Sequence, residues 1–211
     1  MSSLPPSIRR ARTEDWAAIR EICCKTGNSG KPIDPLRWPF FGELWVGPYQ
    51  KLLSDWCFVA ENDGQVLGYL TGCPNSAILD CKKALLFTPS LLLRIFSGSF
   101  VKNNDTRRFI RRTLLLEKGP EARFSKGTHE ILKREYPAHL HINLDESARG
   151  SGLGRQLQET FFEVLKKKQI PGIHVFCGAA PVPFYEKTGF SVLEKIEFAP
   201  GIFIFGMTRK I

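Results

Sequence analysis

The stretch Tyr136–Gly154, YPAHLHINLDESARGSGLG, decides the fold. Ala138, Leu140, Ile142 and Leu144 fall on one side of an extended chain and His139, His141, Asn143 and Asp145 on the other, the period of two that marks a β-strand. From Arg149 the composition changes to Arg-Gly-Ser-Gly-Leu-Gly. Beyond it Leu153, Leu157, Phe161, Val164 and Leu165 recur at helical spacing. The unit is a strand, a glycine turn and a helix.

The first amides of a helix have no partner inside it, and glycines let the bare backbone approach a ligand. That combination suits a phosphate. Spacing excludes two familiar phosphate motifs. No Lys-Ser/Thr pair closes the turn as in a P-loop, and His174–Cys177 ends the next apolar run without the acid that a dinucleotide fingerprint requires.

Downstream, Ile173 to Cys177 reads as a short strand. Then Pro183-Phe184-Tyr185-Glu186-Lys187-Thr188-Gly189-Phe190 reads as a short helix stopped at Gly189 and a strand from Phe190. Upstream, Trp56 to Glu61 and Gln65 to Cys73 flank Asn62-Asp63-Gly64, a hairpin with strong turn chemistry. Ser7 to Ala11 suits a first strand, and Thr13 is placed to cap a helix through Trp16, Ile19, Ile22 and Cys23. Gly27 to Asp34 is loop. Leu36 to Leu53 is rich in aromatics (Trp38, Phe40, Phe41, Trp45, Tyr49), and Val192 to Phe198 with Ile202 to Thr208 closes the chain as a strand pair.

With 211 residues and 43% hydrophobic content the chain can bury one core, so residues 1–211 are expected to form a single domain. Six cysteines show no CxxC spacing and Met1 to Pro6 is short and polar, which points to a reduced, cytoplasmic setting. Cys177, which ends its strand, reads as a buried structural thiol. The net charge of +9 is uneven: Pro74 to Glu135 holds thirteen Lys/Arg against six Asp/Glu. A connection as long as 74–135 seldom stays structureless, so a basic, helical insertion of one or two helices is expected there. Its apolar run is broken by Pro89, Arg94 and Gly98 and is too short to span a bilayer, so no membrane partner is expected. Phe109, Ile110, Leu114 and Leu115 can face the core while Arg107, Arg108, Arg111 and Arg112 stay outside. Those charges are a solvated face, a positive wall beside an anionic ligand, or a surface for an acidic partner. Nucleic acid is not expected, because no stacking platform interleaves them.

Arg149-x-x-Gly152-x-Gly154 after a strand, then Tyr185-Glu186-Lys187-x-Gly189-Phe190, resembles in order and spacing two signatures of the GNAT superfamily of N-acetyltransferases. The resemblance implies an α/β fold: a central mixed, mostly antiparallel twisted sheet of about six to seven strands flanked by helices, with a helical insertion before the central strand. It also implies acetyl-CoA as cosubstrate, no metal, and direct transfer of acetyl to an unidentified amine in a ternary complex, by a monomer or homodimer. A narrower likeness is carried by Tyr136 to Ile142, by Phe184-Tyr185-Glu186-Lys187 and by Gly47-Pro48-Tyr49. These resemble the acetyltransferase-like domain at the C-terminus of O-GlcNAcase and its free-standing bacterial relatives. The vertebrate domain there is regarded as a pseudo-acetyltransferase with an altered glycine loop, so a non-catalytic acetyl-CoA-binding or interaction module is the alternative. Here the loop is intact.

By the same resemblance, cofactor contacts fall to Ile142, Asn143, Leu144, Arg149, Gly150, Ser151, Gly152, Leu153, Gly154, Arg155 and Tyr185, with the Leu144 N–H polarising the thioester carbonyl. Tyr185 stands where the superfamily places its tyrosine acid; the other reading is a tyrosine that caps the core. His139 and His141 are candidates for a base or proton relay. On a central strand they should be buried and partnered, and they are otherwise satisfied core histidines. Their register, one residue off the His-x-His of serotonin N-acetyltransferase, turns them away from the acceptor unless a β-bulge intervenes. Asp145 can instead cap the loop. Gly178 replaces an Asn frequent in the family, leaving the backbone of Ala179 to Pro183 to compensate. Leu36 to Leu53 corresponds to the region that borders the acceptor; the alternative is packing over the sheet edge.

Overall fold

The computed structural model describes residues 5–28, 30–100, 104–114 and 119–211, the side chains of 105, 109 and 112–114 excepted. They form one sheet of seven strands in the order β1-β2-β3-β4-β5-β7-β6. In chain order these are β1 (Ser7–Arg10), β2 (Cys57–Asn62), β3 (Gln65–Cys73), β4 (Ala138–Leu144), β5 (Gly172–Gly178), β6 (Ser191–Ala199) and β7 (Ile202–Lys210). Every neighbouring pair is antiparallel except β4–β5. The β2–β3 turn uses positive φ at Asp63 and Gly64, as a tight hairpin of that twist requires.

Alternation along β4 sorts its side chains between two layers. Ala138 and Leu140 are buried against α7 (Leu153–Lys167), whose Leu153, Leu157, Phe161 and Leu165 are all buried, each worth roughly 1.5–3 kcal/mol. The opposite face is covered by α1 (Trp16–Thr26) and α2 (Trp38–Leu52), whose Ile19, Val46 and Tyr49 pack with Val59, Tyr69 and Cys73 of the sheet. The aromatic segment is therefore a helix, and it continues through Pro48 although that residue has no N–H to donate. Glu43 anchors it. This buried carboxylate meets Arg94 at 2.8 Å and Arg20 and Lys51 at 3.1 Å each.

Thr13 does not cap α1. Thr13–Asp15 form a 3-10 turn in which the Asp15 carboxylate accepts the Arg12 amide and pairs with Arg9, so the acid and not the hydroxyl organises the start. The insertion holds more helices than expected: α3 (Ser76–Lys82), a π-turn at Lys83–Phe87, α4 (Thr88–Phe96), α5 (Asn104–Leu114) and α6 (Lys126–Glu135). Ile110 packs on a cluster of Phe40, Phe87, Leu91 and Phe100, while Arg107, Arg108 and Arg111 are exposed. Leu115 and the side chains of Phe109, Arg112 and Leu114 lie outside the description. Among the described residues no helix is long and apolar enough to cross a membrane.

Candidate active site

Among the described residues β4 and β5 pair only at Ala138–Ile173 and His139–His174. Beyond these, β5 follows β7 along its whole length while β4 stays with β3, so the two strands diverge. The ladder decides what faces the gap. Asp145 donates its amide to the Leu67 carbonyl at 2.8 Å, so Asp145, Asn143 and His141 hydrogen-bond toward β3, and the amides of Leu144 and Ile142 face the gap.

A glycine turn stands at the wide end of the gap. Asp145 closes the strand by accepting the Ser147 amide and hydroxyl, which holds the Asp145 carboxyl below its usual range. Gly150 and Gly152 then take φ of +79° and +86°, which side chains rarely adopt, and a Cβ at either would meet no atom within 4 Å. The amides of Gly150, Gly152, Gly154 and Arg155 find no acceptor among the described residues. Four unpaired donors at the start of a fifteen-residue helix are the kind of group that suits an anion. Gly154 has a second reason to lack a side chain, since a Cβ would lie 3.3 Å from Leu144 Cδ1 and from the Phe184 ring.

Tyr185, in α8 (Val182–Lys187) after β5, is buried with Phe184 and Phe190 at ring distances of 5.3 Å each. Burial, with Cys177 nearby, pushes its phenol well above the usual range, and no described residue hydrogen-bonds its Oη. Cys177 contacts Met207 Sδ at 3.8 Å, and burial raises its thiol to about 11. A Cβ at Gly178 would meet nothing.

The histidines occupy the face under α1 and α2. β4 has no bulge against β3, so the pair keeps the simple alternation. His139 is half-buried: its Nε2 lies 2.7 Å from Tyr49 Oη and its Nδ1 2.6 Å from Ser76 Oγ. Ser76 Oγ also donates to the Pro137 carbonyl at 3.1 Å, so Nδ1–H donates to the serine and Nε2 accepts from the tyrosine. Desolvation, then the neighbouring His141 and His174, pushes the His139 pKa well down. His141 departs from expectation. It is exposed and has no hydrogen-bond partner among the described residues, because a cavity of about 210 Å³ opens beside it. Cys23, Thr26, Gly27, Phe41, Trp45, Tyr69, Thr71 and Asn143 complete the lining. Crowding by these walls, then Lys83 and His174, pushes the His141 pKa down, to about 4, while water in the open cavity works against the full displacement.

The structure thus places Ile142 and Leu144 along the gap, Arg149 to Arg155 in the turn and helix start that follow β4, Tyr185 in the core cluster that Ile142 and Leu144 pack against, and His141 and Asn143 at the cavity on the other face. His139 sits deeper, as a support. Phe41, Tyr69, Thr71 and Cys23 were not singled out as site residues by sequence; only the aromatic density of the second helix pointed there. Among the described residues no group of three His, Cys, Asp or Glu side chains is arranged to hold a metal ion.

A mostly antiparallel sheet of seven strands, whose one parallel pair opens at a glycine turn and a helix N-terminus, is the fold of the GNAT N-acetyltransferases. No protein-family model matches the chain. Among solved structures it is similar to SsHAT, with a TM-score of 0.70 and 24% identity over 97% of this chain and 98% of that one. It is similar to a ribosomal-protein-alanine N-acetyltransferase from Brucella melitensis (TM-score 0.55, 15% identity, 97% and 99% covered). A third is yncA from Salmonella typhimurium with its cofactor acetyl-CoA (TM-score 0.55, 15% identity, 98% and 94% covered).

Proposed function

We propose that the chain is an acetyl-CoA-dependent N-acetyltransferase that passes acetyl directly to an amine in a ternary complex. The observation that supports this most is the divergence of β4 from β5, with the amides of Ile142 and Leu144 turned into the gap and unpaired glycine-turn amides at its mouth. Acetyl-CoA is an extended chain of amides ending in phosphates, and these residues fit both parts. When bound it supplies a thioester.

In the transfer the amine nitrogen bonds to the acetyl carbon, the C–S bond breaks, sulfur keeps the electron pair and takes up a proton, and nitrogen gives one up. Gly150, Gly152, Gly154 and Arg155 hold phosphate through backbone amides, with Arg149, Ser151 and Leu153 shaping the turn. Ile142, Asn143 and Leu144 carry the strand edge, and the Leu144 N–H polarises the carbonyl. Tyr185 stabilises the leaving sulfur through its Oη. A phenol near 10 and a thiol near 8.5 differ by about 1.5 units, roughly 2 kcal/mol, and burial widens that gap, so hydrogen bonding rather than full proton transfer is its role. His141 takes the amine proton and passes it to cavity water, because its depressed pKa keeps it neutral but makes it a poor place for a proton to stay. His139, fixed by Tyr49 and Ser76, positions that strand face. The cavity at His141 is the acceptor pocket in this reading: with no bulge in β4 the histidines face α1 and α2, away from the side the family resemblance gives the acceptor, so the amine is taken to enter from the α1–α2 face, where the open cavity lies. A reducing cytoplasm suits the six free thiols, and a site built from one chain works in a monomer or a homodimer.

The rival is a non-catalytic acetyl-CoA-binding module, favoured by the packing of Tyr185 among Phe184 and Phe190. Thiol release from acetyl-CoA with a panel of amines, with the acetylated product weighed by mass spectrometry, separates the two. Product with any amine supports transfer. Tight acetyl-CoA binding without product from any amine sinks it and leaves the module.

A further inference from the structure

The cavity beside His141 is built from aromatic and neutral polar groups. Phe41 and Trp45, one turn apart on α2 with ring centroids 6.0 Å apart, form a wall, and Tyr69 and Asn143 contribute to the sheet side. Trp45 stands edge-on to His141 at 5.9 Å and is still 45% exposed. Nearly half of the indole is therefore accessible to a ligand in the pocket. None of the nine lining residues is Asp, Glu, Lys or Arg. At about 210 Å³ the space is below the roughly 300–1,000 Å³ of pockets for drug-sized ligands, so it takes one ring or a fused pair.

Two acceptors in the lining have no donor: Asn143 Oδ1 and the unprotonated ring nitrogen of neutral His141. Asn143 Nδ2 is committed to Tyr69 Oη at 2.8 Å, no described residue donates to Asn143 Oδ1, and His141 has no partner. An amino group reaching this corner therefore meets two acceptors for its N–H bonds. An alkylammonium meets no carboxylate to replace its lost hydration, and the positive charge of Lys83 already acts on His141. An amine that is uncharged in water meets neither penalty, and its lone pair is free for attack from the start.

Building on the acetyl-transfer reading, we propose that the acceptor is an uncharged, weakly basic aromatic amine, with its ring beside Phe41, Trp45 and Tyr69 and its amino group toward His141 and Asn143. Aniline-type amines are the chemical class, because their lone pair is shared with the ring.

Two isomers make the test. At neutral pH p-toluidine is uncharged, whereas benzylamine, with the same atoms, carries an alkylammonium. The expected result is a kcat/KM for p-toluidine at least tenfold above that for benzylamine or spermidine. A second readout is independent of turnover: calorimetric titration of p-toluidine into CoA-loaded protein. Trp45→Ala should weaken that binding about tenfold and leave acetyl-CoA binding unchanged, and Trp45→Phe should keep most of it. Preference for benzylamine or spermidine, or unaltered p-toluidine binding in Trp45→Ala, overturns this inference and leaves acetyl transfer standing. No acetyl-CoA binding, or no thiol release with any amine, removes the inference together with the reading beneath it.

Discussion

Arg149 Nη2 donates to the Gly30 carbonyl at 2.8 Å, tying the glycine turn before α7 to the loop that follows α1. Thr26 and Gly27, just ahead of that loop, line the cavity at His141. One guanidinium therefore spans the proposed phosphate and acceptor sites, through a charge-assisted bond of the kind worth roughly 1.5–3 kcal/mol, less where it is exposed as here.

Arg149→Ala should weaken acetyl-CoA binding about tenfold by calorimetry and also raise the acceptor KM two- to threefold. A change in acetyl-CoA affinity with the acceptor KM untouched would refute the coupling.

Tyr185→Phe should lower kcat by about ten- to a thousandfold while CoA affinity is retained, since the ring stays packed between Phe184 and Phe190 and only Oη is lost. Turnover equal to the parent protein, with CoA binding intact, would remove Tyr185 from the chemistry.

The sequence was most legible where one period governed each element. Ala138 to His141 alternate in burial until the strand edge opens at Ile142 to Leu144, all half-buried, and Leu153 to Leu165 recur by turns as observed. The Asn62-Asp63-Gly64 turn was equally plain. Less legible was α2, where Pro48 and a high aromatic content conceal a helix that packing on α1 and the sheet sustains. The start of α1 misled because Thr13 matches a cap pattern, while long-range pairing with Arg9 draws Asp15 into that place. Strand register correctly put His139 and His141 on one face. It could not show that α1 and α2 leave a cavity there, nor that His141 opens into it.

Desolvation lowers the pKa of His139 and His174, and less fully that of His141, which opens into the cavity. Above about pH 7.5, a unit over the unfolded pKa of about 6.5, these residues are neutral in both folded and unfolded chains and contribute nothing to pH dependence. As pH falls below that value the unfolded chain takes up protons first, so stability declines. The melting temperature should therefore fall between about pH 6.5 and 5, less steeply in His139→Gln. A melting temperature that rises on acidification would show the shifts to have the opposite sign.

Gln158 is fully buried in α7, and neither its Oε1 nor its Nε2 has a partner among the described residues. Each orphaned group costs roughly 1–3 kcal/mol, so Gln158→Met, similar in shape, should stabilise the fold by about that amount in urea denaturation. A loss of stability would mean the amide is satisfied by water or ligand.

The glycine turn can be tested most directly by calorimetric titration of acetyl-CoA into the parent protein and into Gly152→Trp. The φ of +86° at Gly152 and the open space around it place the new indole where the phosphates would lie. Saturable binding to the parent and none to the variant, with both showing a cooperative melt, is the expected result. Equal binding by the two proteins, or none by the parent, would contradict it.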